Sequence, residues 1–306
     1  MKTMRKITLC LICCLMTGCS WFEDPSSPEG YVKNCVRLMD KYGLYAEGQA
    51  WETMKQQTLE KASQITTLEE AHALVSEALR IAGGKHSVLN PPVEERKNVS
   101  EEKVPEVNLR EEGLIVVKLP AHSGITVSDS LYTFTVFDFI AAHKDAKGVI
   151  IDLQDNVGGN MYPMLAAVSP LIPEGIFIRF KGRKSNTPIT IEYVEKQAGI
   201  SGSKSFKLPA SLPIAILTNE WTGSSGEATL LAFRGLENVR TFGTPTAGYA
   251  SSNIPYQLSD GYTLVLTVGQ DVARTGEVFC DDPIAPDVET ETALEDAVNW
   301  INERNV

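Results

Sequence analysis

Two adjacent serines, Ser224 and Ser225, lie in the small, glycine-rich run Thr222-Gly-Ser-Ser-Gly226. Before it, apolar Pro213 to Leu217 reads as a strand buried on both faces; after it, Ala228 to Phe233, closed by Gly235, reads as a helix. Such a turn presents a hydroxyl beside helix-start N–H groups, which suit an oxyanion as well as a simple N-cap. The spacing is not the esterase elbow Gly-x-Ser-x-Gly, because Gly223 and Gly226 flank two serines. A second turn, Asn156-Val-Gly-Gly-Asn160, follows the apolar strand Gly148 to Leu153. Paired glycines let backbone N–H groups approach a ligand with no Cβ in the way, so Gly158 and Gly159 are candidates for an anion hole, or a plain strand-to-helix turn. The third stretch is Gly83-Gly-Lys-His-Ser87. His86 has the glycine-flanked loop setting where functional side chains concentrate, whereas His72, His122 and His143 have surface readings. Serine, imidazole and an N–H pair are the ingredients of acyl transfer.

These residues need a scaffold. Residues 29–84 carry apolar positions at helical spacing (Val32, Cys35, Val36, Met39; then Leu68, Ala71, Val75, Ala78, Leu79), and Gly83-Gly84 stops the last helix. This predicts a small helical module. Residues 85–112 read as irregular. From Gly113 strands and helices alternate: strand Leu114 to Leu119, helix Ser128 to His143, strand Gly148 to Leu153, helix Met161 to Leu171, strand Ile176 to Phe180. A polar insertion, 181–207, precedes the Ser224 unit. Strand Val239 to Phe242 follows, then a hairpin of Ile254 to Leu258 and Tyr262 to Val268 through Asp260-Gly261, and a terminal helix Ala293 to Glu303. The alternation predicts an α/β sheet with buried strands, spanning 85–306.

Composition sets the context. A hydrophobic content of 43% with 22% charged residues describes an ordinary globular chain. Residues 1–19 have a basic start, an apolar run from Ile7 to Met16, and Thr17-Gly-Cys19, a secretory signal. The segment Leu15-Met-Thr-Gly-Cys19 resembles a bacterial lipobox, with Cys19 as the lipidated residue, residues 20–28 as a tether, and the cell envelope as the location. Loss of residues 1–18 removes three cations and no acid, taking the net charge from −11 to −14. That sign argues against a nucleic-acid partner. Cys35 and Cys280 then remain, enough for one disulfide, and no Cys/His spacing suggests a metal or other cofactor.

Taken together, Gly84-Lys-His-Ser87, Val149 to Asn160, Thr222 to Glu227, Phe242-Gly-Thr-Pro-Thr-Ala-Gly248 and Ile284-Ala-Pro-Asp287 resemble the tail-specific, or C-terminal-processing, serine peptidases, on the branch near tricorn protease and the interphotoreceptor retinoid-binding protein. The resemblance covers roughly residues 80–290. It implies a ClpP/crotonase-like mixed sheet with flanking helices, Ser224 as nucleophile and His86 as general base. It places the oxyanion hole at the amides of Ser225 and of Gly158 or Gly159. A Ser–Lys dyad is not expected, because Tyr249 stands at the lysine position. Cys280 occupies the place of the family's acid, leaving Asp281, or Glu277 or Asp282, as the third member. No PDZ domain is evident in the sequence.

The expectation is therefore an extracytoplasmic serine endopeptidase acting on a peptide or unfolded protein, and related folds often form homo-oligomers. A catalytically silent relative binding a peptide or apolar ligand in the same cleft is the first alternative, and an esterase or acyl transferase the second.

Overall fold

The computed structural model describes residue 24 and residues 26–95, 102–199 and 206–304. The expected signal segment with Cys19, most of the expected tether and residues 200–205 of the insertion lie outside them.

Three helices open the chain, α1 (Pro28–Tyr42), α2 (Gly48–Ala62) and α3 (Leu68–Gly83). The boundaries of α1 and α3 have local causes. Ser27 accepts the Gly30 N–H with Pro28 at the first position, Thr67 and Glu70 form a capping box, and Gly84 leaves α3 at φ 72°. Then come β1 (Val88–Asn90), β2 (Glu106–Leu109), β3 (Leu114–Lys118), α4 (Asp129–Ala142), β4 (Gly148–Asp152), α5 (Met161–Ala167), β5 (Ile178–Gly182), β6 (Asn186–Ile189) and α6 (Ile191–Gln197). The chain ends through β7 (Ile214–Thr218), α7 (Ser225–Leu231), β8 (Val239–Gly243), β9 (Ser251–Gln257), β10 (Thr263–Ala273), β11 (Val278–Phe279), β12 (Val288–Glu289) and α8 (Ala293–Arg304).

The strands form two sheets. The first runs β12-β8-β7-β4-β3-β2, parallel except for β2 at the edge. Its central strands β4 and β7 are apolar and buried, as strands covered on both faces must be. One face packs on α4, α5 and α7 through residues such as Ile151, Tyr132, Leu165 and Leu231; the other packs on α8 through Ile150, Leu217 and Ile301. Each such side chain contributes on the order of 1.5–3 kcal/mol relative to exposure.

The second sheet is organised by β10, eleven residues long. β1, β5, β9 and β11 all pair with it antiparallel, and β6 extends β5. The helical module packs on the β9–β10 hairpin, where Leu258, Leu264 and Leu266 share a core with Tyr31, Met39, Trp51 and Leu79.

The α/β class with flanking helices and an N-terminal helical region is as the sequence indicated, and the structure adds detail in how the strands divide between two sheets. The strand expected at 176–180 is β5, but it belongs to the second sheet. Residues 85–112 hold two strands, each too short to show a period: β1 is recruited by the distant β10, and β2 forms a hairpin with β3. The polar insertion holds β6 and α6. The helix expected to reach Leu171 stops at Ala167 and continues as a 3₁₀ turn at Ser169–Leu171, where Pro170 supplies no N–H. Cys35 and Cys280 are free: Cys35 is buried in the helical core, and Cys280 lies 3.0 Å from the Tyr45 hydroxyl.

Candidate active site

The carboxyl ends of β4 and β7 carry the two glycine turns, as expected for a sheet of this kind. After β4, Asn156 is fully buried and acts as a staple. Its Nδ2 donates to Leu119 O (2.9 Å), its Oδ1 accepts the Gly158 N–H (2.9 Å), and its own carbonyl accepts the Gly223 N–H (2.9 Å). The turn needs glycine: Gly158 and Gly159 have φ of 101° and 120°, and a Cβ on Gly158 would come within 2.6 Å of Ser224 Cβ. After β7, Thr222 Oγ1 donates to Leu153 O (2.8 Å), tying the second turn to the first.

Ser224 follows, at φ 53° and ψ −114°. A non-glycine residue outside the favoured regions stores strain, and such residues cluster at functional sites. Glu227 holds it there. This carboxylate is wholly buried and accepts four hydrogen bonds, from Ser224 N (2.9 Å), Tyr249 N (2.7 Å), Gly248 N (2.9 Å) and Thr246 Oγ1. Burial pushes its pKa up while these donors oppose the rise. Through Thr246 the network continues to Ile284, whose N–H donates to Thr246 Oγ1 (2.8 Å), so the motifs at 242–248 and 284–287 brace the serine turn.

Among the described residues, the Ser225 and Gly159 N–H groups have no acceptor, whereas Gly158 N is taken by Asn156. Ser225 Oγ donates to Gly159 O (2.7 Å), holding the two free N–H groups near each other. Of the two expected glycine donors, Gly159 is the one available.

His86 and Ser224 line the same cleft, of about 970 Å³, although no hydrogen bond joins them. His86 Nδ1 lies 2.8 Å from Ser251 Oγ, and its ring meets the edge of Tyr249 at 5.2 Å. Burial draws the imidazole pKa down to about 4; Asp281 opposes this and Lys85 adds to it. Two of the three acids expected to orient His86 are hydrogen-bonded elsewhere. Asp281 accepts from Tyr45 OH (2.6 Å), and Glu277 pairs with Arg234 (2.9 Å). Asp282 makes no side-chain hydrogen bond among the described residues. The partner of His86 is the hydroxyl of Ser251, 165 positions away, for which no sequence signal exists. Asn156 and Glu227 stood inside the quoted motifs without a role.

The other histidines are less exposed than their sequence setting implied. His122 is fully buried against the glycine turn, with Nε2 2.8 Å from Asp129, and His72 pairs with Asp260 at 2.6 Å.

The Peptidase family S41 model matches residues 117–290, more than half the chain. The protein belongs to peptidase family S41. The nisin-resistance protein of Lactococcus lactis is 32% identical to it, over 98% of each chain. A solved structure of a lipoprotein from Streptococcus agalactiae shares 30% identity with a TM-score of 0.78, covering 92% of this chain and 98% of that one. The photosystem II D1 C-terminal processing protease shares the fold at 13% identity and a TM-score of 0.57, covering 88% of this chain and 96% of that one. The S41 match takes in the two glycine turns, Ser224, Glu227 and Ser251, while His86 lies N-terminal to it. Resemblance to tail-specific peptidases is thereby confirmed at the level of family and fold.

Proposed function

We propose that this protein is an extracytoplasmic, lipid-anchored serine endopeptidase with Ser224 as nucleophile and His86 as general base. The observation that carries the reading is the Ser224 turn: a strained serine with two unpartnered N–H groups beside it, on a cleft shared with a histidine. With Nδ1–H donating to Ser251, His86 Nε2 keeps the lone pair that removes the Ser224 proton as Oγ attacks the peptide carbonyl. The N–H groups of Ser225 and Gly159 receive the oxyanion. Protonated His86 then gives its proton to the leaving amine, and water hydrolyses the acyl-enzyme. A substrate filling the cleft would bring Ser224 and His86 together, as unoccupied sites commonly leave such bonds unmade. The signal-like residues 1–18 with Cys19, and the likeness to a streptococcal lipoprotein, support the anchor. The full-length likeness to a nisin-resistance protein makes nisin the first defined substrate to try.

The test is labelling of full-length protein with a fluorophosphonate probe beside Ser224→Ala and His86→Ala. Labelling of the wild type that is absent from both variants is the expected result; folded wild type that does not label refutes the assignment. In that event the silent binder is favoured, consistent with the missing Ser224–His86 hydrogen bond and the uncharged partner of the imidazole.

A base must be neutral to act, so kcat/KM should rise with pH through about 4, the His86 value, and be flat near neutrality. Ser251→Asp would place a carboxylate against Nδ1, favour the imidazolium and move that acidic limb upward by about one unit or more. Ser251→Ala should lower kcat about tenfold with little change in KM, since it loosens the ring and touches no substrate. A pH–rate profile of the three proteins checks all of these outcomes.

A further inference from the structure

Asp271, on β10, is a buried carboxyl whose Oδ1 lacks a partner among the described residues. It is 2% exposed and lines the Ser224 cleft. Folded chains seldom leave a buried carboxyl so, and each such group calls for an explanation. Its flanks are aromatic. Asp271 lies opposite Phe180 of β5 on one side and Phe279 of β11 on the other, and directly opposed residues of antiparallel strands share a sheet face. Phe180 lines the cleft as well. Burial raises the carboxyl pKa well above the usual range, and the carboxylate of Glu227 adds to the rise. The site thus combines a desolvated acceptor with apolar walls, the surroundings suited to a methylene stem ending in a cation.

We propose that Asp271 determines specificity, receiving the cationic end of a substrate lysine or arginine whose stem lies along Phe180. The proposal rests on the peptidase reading of the Ser224 cleft. The other charged groups on the cleft sharpen it. Lys41, Arg183 and Lys184 have the opposite sign, and Arg183 is held by the carbonyls of Asp40 and Ala46. A basic side chain is therefore welcome at one substrate position and disfavoured elsewhere in the cleft.

Full-length protein in detergent is assayed on peptides carrying lysine, arginine or norleucine at each position around the cleaved bond. The wild type should favour the basic residue at one position by about tenfold or more. Asp271→Asn should abolish that preference while cleaving norleucine peptides within about twofold of the wild-type rate. The variant loses no hydrogen bond, so its thermal midpoint should hold; should it drop, Asp271→Leu, matched to the aromatic walls, replaces it and should favour norleucine. A second arm needs no catalysis: fluorescence anisotropy of the same peptides on Ser224→Ala protein, with and without Asp271→Asn. Tighter binding of the basic peptide only when Asp271 is present supports the proposal. No basic preference, or one unchanged in the Asp271 variants, overturns it. Failure of cleavage and of fluorophosphonate labelling would instead count against the peptidase reading, with the binding arm still deciding on Asp271.

Discussion

Replacing Ser224 by alanine is expected to lower kcat on a cleaved peptide by about 10⁶, the scale seen when a serine nucleophile is removed from an acyl-transfer site. The residual rate would come from the N–H groups of Ser225 and Gly159 and from binding alone. The same position makes an opposite prediction for stability. At φ 53° and ψ −114° a side-chain-bearing residue costs about 1–3 kcal/mol, whereas glycine occupies such regions freely. Ser224→Gly should therefore be inactive yet more stable than the wild type by about 1 kcal/mol after the entropy of the more flexible unfolded chain is subtracted. For a chain of this size that is a rise in Tm of about 2 °C. Calorimetry of the wild type, Ser224→Ala and Ser224→Gly, with peptide turnover of each, checks both halves. An unchanged or lower midpoint for glycine would mean that the turn is unstrained, and Ser224 would lose its claim to a conformation held for function.

Glu227 should give the largest effect on stability. Ser224→Gly relieves a constraint, but removing the Glu227 carboxylate strands four donors inside the protein, three of them backbone N–H groups. Each unsatisfied buried donor costs about 1–3 kcal/mol, and partial relaxation brings the expected loss for Glu227→Ala to about 4 kcal/mol. Glutamine is no conservative exchange. Oε1 accepts from Thr246 and Gly248 and Oε2 from Ser224 and Tyr249, so either orientation of the amide turns an NH₂ group against two donors. Glu227→Gln should cost nearly as much as Glu227→Ala in urea denaturation, and the folded fraction of each should turn over peptide about 100-fold more slowly because the Ser224 N–H tether is gone. A glutamine variant of wild-type stability would show that Glu227 is already protonated and donating, and the four-acceptor description would fall.

The legible parts of this protein were those whose physics is local. Gly148 to Asp152 and Ile214 to Thr218 are apolar runs flanked by glycine turns, and both are central strands. The helical module from Pro28 to Gly83 shows in its spacing and in its caps, because a cap is written within four residues. Ser224 and the Gly158-Gly159 turn were found for the same reason: strain at a turn must be met by glycine or by a neighbouring side chain, and both leave a mark in the sequence. The second sheet left no comparable mark. β1 is three residues and pairs with a stretch of β10 far along the chain, and β11 is only two residues, so no periodic signal could assign them.

The same division runs through the site. Sequence determined the turn serine, the paired glycines and the candidate histidine, since each residue type is required where it stands. Tertiary structure decided what those residues touch. It set Ser251 rather than an acid against His86, assigned Gly158 N to Asn156 and left Gly159 N free, drew four donors onto Glu227, and buried Asp271 at a register position opposite Phe180 and Phe279. Hydrogen-bond partners and burial depend on elements brought together from distant segments, and the energy of such a contact is a property of the packed pair, which neither residue carries in its own stretch of chain.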